Sequence, residues 1–456
     1  MQKISLFSLI FLIIAAIDSI RNLPATALFG NSLPFFFLLV LFTFLFPVAL
    51  LSAEFSSRFS EEGGIFHWIR NAFGEEVGLL AIWLQWINTM VWYPTVLSFL
   101  AGTAAYLVNP NLAKEPLFLF ISTVSLFWLL TWLNFKGLHV SAKINTICCI
   151  IGTLFPMLLL SFLGFIWVIR GEPLQLTFSL DGLISGISTP TSWASLIVIV
   201  ASFLGMELSG VHIKEIDHPQ KNFPKAMGIS VAILTTTMLF GALSIALVIP
   251  SSEIRLVDGT MQSFRHIFSA FHLSPLVPLL AFLIMIGTFG GMINWLISPA
   301  KGLLQASEKG FLPHWLAVKN RHGIPVRILV MQAILVTFFS LCLVLMPSIN
   351  GFYWFLMALS TGLYMLMYVL LFAAALKLRR PSREMSSFQF PKGTRRLSCW
   401  LGLGGAFLTI GVGFIPPEGI DVGTPFGYAL EIALGNILLI APVPFLWYYK
   451  KKMGRR

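Results

Sequence analysis

Charge is what this sequence has least of. Asp, Glu, Lys and Arg together make up 11% of its 456 residues, against 57% hydrophobic residues and a mean hydropathy of +0.85. Average soluble domains carry about 25% charged residues, so a soluble protein of this length is excluded for want of polar surface. Cysteine is also scarce. Cys148, Cys149, Cys342 and Cys399 lie in or at the edge of apolar runs and form no CxxC, so they read as packing residues. The eight histidines are scattered near the ends of apolar runs, with no HExxH and no two-Cys, two-His spacing. No Walker motif and no nucleophile–base pair stands out. These absences argue against an enzyme, against direct drive by ATP, and against any metal or cofactor. The net charge of +11 forms no continuous basic stripe with interleaved aromatics, so no nucleic-acid partner is expected.

What is abundant is apolar sequence in lengths that suit a lipid bilayer, which needs about 20 residues per spanning helix. Twelve such runs are legible, at 4–30, 34–56, 78–107, 117–135, 142–169, 190–212, 226–250, 273–299, 325–347, 352–376, 398–415 and 428–448. The 42 Phe and 13 Trp suit a lipid-facing surface with interfacial belts. With the N-terminus in the cytoplasm, the basic residues fall in alternate connections (57–77, 136–143, 213–225, 300–327, 377–397 and the tail). Lys114, Arg170, Arg255 and Arg265 alone lie on the other side, and Arg21 lies within the membrane. The positive-inside rule thus places both termini in the cytoplasm of an all-α polytopic protein of the inner (plasma) membrane.

Two of the runs are interrupted. The first breaks at "AIDSIRN", where Asp18 and Arg21 sit near the hydrocarbon midplane, a location that costs about 2.5–3.5 kcal/mol per charge. The sixth breaks in "FLGMELSGVHIKEIDHPQKNFPKA". Broken helices five apart predict an inverted five-plus-five repeat with two accessory helices. Its parts would be residues 1–169 (runs 1–5), 170–380 (runs 6–10) and 381–456 (runs 11, 12 and a short basic tail). A six-plus-six architecture would put its long linker between runs 6 and 7. Here the Arg-rich linker "KLRRPSREMSSFQFPKGTRR" lies between runs 10 and 11. A broken helix in lipid survives only where it lines a cavity. Its freed N–H groups suit a carboxylate, and its freed carbonyls suit an ammonium.

Four blocks carry a resemblance: "AEFSSRFSEEGGIFHWIRNAFG" (53–74), "NFKGLHVSAKIN" (134–145), "FLGMELSGVHIKEIDHPQKNFPKAM" and "SPAKGLLQASEKGFLPHWLAVKNRHGIPV" (298–326). In this order the chain resembles the amino acid–polyamine–organocation superfamily over nearly its whole length. "RNLPA", "GMELSGVH" and "NWLISPAKG" are most similar to the glutamate/GABA antiporter branch. The resemblance implies a leucine-transporter-type fold with alternating access, a small amino acid as substrate, and an exchange mechanism, and it allows a homodimer. It assigns Ile17, Asp18 and Ser19 to the unwound part of run 1 that meets the substrate. It likewise assigns Ala201, Ser202 and Phe203, with Gly205, to the break in run 6, and Trp295 to the wall of the site. Glu207, Tyr364 and Arg21 fall to gating and proton coupling.

The chain also departs from that pattern. A glycine-rich turn in run 1 is replaced by Ile-Asp-Ser, and the acid that the branch carries one turn before the run 8 tryptophan is Gly291. Asp18 reads either as a site residue or as a cap on the second half-helix. Arg21 reads as counter-ion to Asp18 or as a substrate ligand. Trp83, Trp86 and Tyr93 read as packing residues of which one reaches the site, Tyr364 and Tyr368 share a face, and Glu54 reads as interfacial. The alternatives to an exchanger are a proton-coupled amino acid or polyamine symporter and, in another class, a channel or membrane amino acid sensor.

Overall fold

The computed structural model describes residues 4–17, 20–58, 64–137, 142–176, 179–208, 216–308, 310–378 and 390–453. No β-strand occurs among them; the single bridge pairs Ile4 with Ile216. Eleven segments are long and apolar enough to cross a bilayer. In chain order the helices are α1 (Leu6–Ala27), α2 (Gly30–Ser56), α3 (Glu75–Val108), α4 (Pro116–Phe135), α5 (Ile144–Ile169), α6 (Pro190–Leu208), α7 (Lys221–Val248), α8 (Ser274–Glu308), α9 (Val326–Leu345), α10 (Ile349–Lys377), α11 (Lys392–Val412) and α12 (Pro425–Lys451). All but α11 are among the eleven. The chain is therefore a multi-pass helical membrane protein.

Local sequence explains where the helices start. Proline, which has no N–H to lose in the first turn, opens α4, α6 and α12. Ser348 and Thr424 accept the backbone N–H of Gly351 and Gly427 and so cap α10 and α12. Burial then sorts the bundle. Over their most apolar windows α3 and α10 are 78% and 72% buried and form the centre, whereas α12 is 11% buried and forms the rim.

The helix α11 opens with Lys392, Arg395 and Arg396, and tertiary contacts hold this end. Arg395 pairs with Glu54 of α2 at 3.1 Å and donates to the carbonyls of Ala375 and Leu378 at the end of α10. Glu54, near the loop end of α2, is 1% exposed, more buried than its place before a loop suggests. The reason is that α11 delivers a cation to it from more than 300 residues away.

Between α7 and α8, the helix Gly259–Ala270 packs on the second part of α1, where Thr260 bonds the Ile20 carbonyl. It is anchored by Asp258, whose carboxylate accepts from Tyr106 at 2.8 Å and pairs with Arg255 at 2.9 Å. Burial pushes the Asp258 carboxyl up, and the neighbouring Arg255 and Tyr106 oppose that shift.

Candidate functional site

Two helices are interrupted at the same level. In α1 the α-helix stops at Ile17 and resumes with a 3-10 turn at Ile20–Asn22 and the short helix Leu23–Ala27, which has Pro24 in its first turn. Asp18 and Ser19 lie outside the described residues. In α6 the helix Ser195–Ala201 gives way to a turn through Gly205, whose φ of 101° is left-handed and favours glycine. The interruptions face each other, since Asn22 Nδ2 donates to Ser202 Oγ at 3.0 Å. Carbonyls freed by the α1 break are satisfied by side chains, as a water-poor environment demands. Thr260 donates to the Ile20 carbonyl at 3.0 Å, and the Tyr353 hydroxyl lies 3.2 Å from that of Arg21 and 3.0 Å from Asn22 Oδ1.

Beside the interruptions is a cavity of about 90 Å³, with walls from α1, α3, α5, α6, α8 and α10. Among the residues singled out in the sequence, Ile17, Arg21, Ala201, Trp295 and Tyr364 line it. Ser202, Phe203, Gly205 and Glu207 are buried next to it but are not on its wall. Ser202 is held by Asn22, Phe203 meets Phe37 edge-on at 6.1 Å, and the Gly205 N–H donates to the Tyr368 hydroxyl at 3.3 Å.

On α3 the tryptophan that reaches the cavity is Trp92, and Trp83, Trp86 and Tyr93 do not line it. Its ring is 5.0 Å from that of Trp295, while Tyr93 donates to the Trp295 carbonyl at 2.9 Å and so fixes α8 from behind. Asn88, Thr89, Val96 and Phe99 complete this wall. A signal for it was present: Gln85, Asn88, Thr89 and Trp92 recur at helical spacing inside an apolar run, and polar groups there face the bundle interior.

Behind the wall sits Glu207, 1% exposed. Its Oε1 accepts from Tyr364 at 2.5 Å and from Gln85 at 3.1 Å, and its Oε2 accepts from Tyr368. One carboxylate thus gathers α3, α6 and α10. Since Tyr364 also lines the cavity, the acid is one hydroxyl away from whatever occupies it. The i, i+4 tyrosine pair does share a face, and the face meets this acid. A proton on either Glu207 oxygen would remove an acceptor from a tyrosine or from Gln85, so the arrangement links protonation to the packing of α10 on α6. Among the described residues no cluster of His, Cys, Asp and Glu could hold a metal ion.

Gly291 lines the cavity, and a Cβ added there would meet nothing within 4 Å. Gly291→Leu should therefore fold at least as well as the natural chain, because leucine is the better helix former by about 0.8–1 kcal/mol. It should also weaken binding of any solute held there by filling the space. Thermal unfolding and binding measured side by side decide this, and undiminished binding would remove Gly291 from the site.

A family profile described as amino acid permease matches residues 4–439. The chain is 34% identical over 454 residues to an uncharacterized transporter of Legionella pneumophila, covering 99% of this chain and 97% of that protein. It is 28% identical over 456 residues to a glutamate/gamma-aminobutyrate antiporter of Lactococcus lactis, covering 98% of this chain and 90% of that one. A probable agmatine/putrescine antiporter of Lactococcus lactis is 24% identical over 384 residues, with 84% of this chain and 81% of that one covered.

Proposed function

This chain belongs to the amino acid permease family and is a transporter, not an enzyme; from that premise we propose that it exchanges amino acids across the plasma membrane by alternating access. The observation that carries this reading is the cavity between two mutually hydrogen-bonded helix breaks, with a caged acid one hydroxyl from its wall. A static pore has no use for a cavity walled by six helices between two helix breaks. A carrier needs one, with elements that can rearrange on either side of it. In this reading α1–α5 and α6–α10 are the inverted repeats, α11 and α12 are accessory, and both termini are cytoplasmic. Ile17, Ala201 and Trp295 form the substrate wall together with Asp18 and Ser19. Ser202, Phe203 and Gly205 support the α6 break, and Glu207 and Tyr364 serve the gate. The glutamate/gamma-aminobutyrate antiporter among the relatives makes exchange of acidic and γ-amino acids the first pair to test.

In proteoliposomes, labelled substrate should enter vesicles preloaded with unlabelled amino acid at least roughly tenfold faster than empty ones. Equal rates would sink the exchange reading. A second reading, proton-coupled symport, is favoured by the Glu207 cage alone. It predicts that an inward proton gradient drives uptake into empty vesicles.

A further inference from the structure

We infer that Arg21 is the receptor for a carboxylate of the transported solute, rather than a gating residue; the inference rests on the transport reading above. Arg21 lines the cavity and is 3% exposed, and it is the one charged residue among the described residues of the cavity wall. The guanidinium is held by neutral groups. Its Nη1 donates to Thr95 Oγ1 at 3.1 Å and to the Tyr353 hydroxyl at 3.0 Å, and its plane lies 5.2 Å from the Trp92 ring centroid. Its Nε is buried without a partner, and no hydrogen bond of Nη2 is found among the described residues. Among the described residues no acid pairs with it either.

With no anion beside it among the described residues, this buried cation is costly to hold, and two hydroxyls and an aromatic face offset only part of that cost. The pattern of what is used and what is left is informative. Nη1 is committed to α3 and α10, which orients the fork; Nε is enclosed by protein, and Nη2 is left. The Nη2 N–H groups can donate charge-assisted hydrogen bonds to a carboxylate seated in the cavity. The same anchors are tied to the helix breaks, because Tyr353 also touches Asn22, which bonds Ser202 of α6. A carboxylate seated on Arg21 would thereby be sensed by both interrupted helices.

The consequence is a choice between solutes. The Arg21 side of the cavity should admit a carboxylate and repel a second ammonium. GABA and putrescine are probes of nearly equal length that differ in this respect, and leucine and glutamate separate an α-carboxylate from a side-chain one. We expect calorimetric titration of the purified full chain to give GABA or glutamate binding at least roughly tenfold tighter than putrescine. Arg21→Gln should weaken carboxylate binding roughly 100-fold and leave putrescine unchanged, with Arg21→Lys in between. A parallel loss for leucine would identify the α-carboxylate; a loss confined to glutamate and GABA would identify the other.

Should Arg21→Gln fail to fold, the comparison of GABA with putrescine on the natural chain decides alone. Putrescine bound as tightly as GABA, or carboxylate affinities within a factor of about 3 in Arg21→Gln, would overturn the inference. Exchange of putrescine by the natural chain would do so too while leaving the transport reading intact.

Discussion

Glu207→Gln is expected to retain substrate binding and to flatten the pH dependence of exchange between about pH 4.5 and 8, whereas Glu207→Ala should abolish exchange. The difference follows from the cage. Gln85, Tyr364 and Tyr368 all donate to one buried carboxylate. Alanine strands three buried donors at about 1–3 kcal/mol each, enough to unpack α10 from α6. Glutamine keeps the volume and one acceptor oxygen but presents an amide N–H₂ to a hydroxyl that must turn round, so binding survives at a cost near 1 kcal/mol. What glutamine cannot do is titrate. In the proposed mechanism, acidification would put a proton where a tyrosine now donates, and the link from Tyr364 to the cavity would carry that change to the solute. Tyr364→Phe should therefore reproduce most of the Glu207→Gln profile, and Tyr368→Phe less, because Tyr368 is not on the cavity wall. If Glu207→Gln keeps the natural pH profile, the acid is a structural pin and the proton sensor lies elsewhere.

The second large effect should come from a place with no polar chemistry. The helices α5 and α8 touch backbone to backbone at Gly152 and Gly287. A Cβ added at Gly152 would fall 2.4 Å from the Gly287 Cα, and one added at Gly287 would fall 2.6 Å from the Gly152 Cα. No rotamer relieves this contact, since the obstacle is main chain. Close approach through small residues is how membrane helices gain packing energy where lipid gives no hydrophobic drive. Here the π-helical turn Ile150–Leu154 brings Gly152 to the crossing. Thr153 and Thr288, adjacent to the two glycines, line the cavity. Gly152→Ala and Gly287→Ala should each destabilise by about 1–3 kcal/mol or more and cut exchange at least roughly tenfold by splaying this wall. Gly228→Ala and Gly404→Ala, where a Cβ meets nothing within 4 Å, are the matched controls and should be neutral. Thermal midpoint and exchange rate measured on all four variants test the claim. Unimpaired Gly152→Ala would show that the crossing yields freely.

The sequence by itself determined class and span. Hydropathy sums along the chain, and a run that needs lipid needs it whatever its neighbours do, so eleven of the twelve apolar runs correspond to spanning segments of the structure. The two interruptions were equally legible, because a charge, a glycine or a proline inside an apolar run is a local conflict visible without any partner. The exceptions share one cause. Lys392–Val412 is a helix whose basic first turn lowers its apolar score, and Glu54 of α2 is the group that accepts its charge. The burial of Glu54 in turn was not legible, because its partner lies in α11.

Only the tertiary structure decided which residues meet. Arg21 reaches Thr95 across 74 positions and Tyr353 across 332, and Glu207 reaches Gln85 across 122 and Tyr364 across 157. No periodicity encodes such pairs. Trp92 reaches the cavity where Trp83, Trp86 and Tyr93 do not because a rotation of 100° per residue about the α3 axis separates neighbours in sequence. Tyr93, one residue on, turns instead to the Trp295 carbonyl. Apolar length and charge asymmetry are properties of segments, and a sequence carries them openly. A binding site is a property of the register between segments, and that register exists only once the helices have packed.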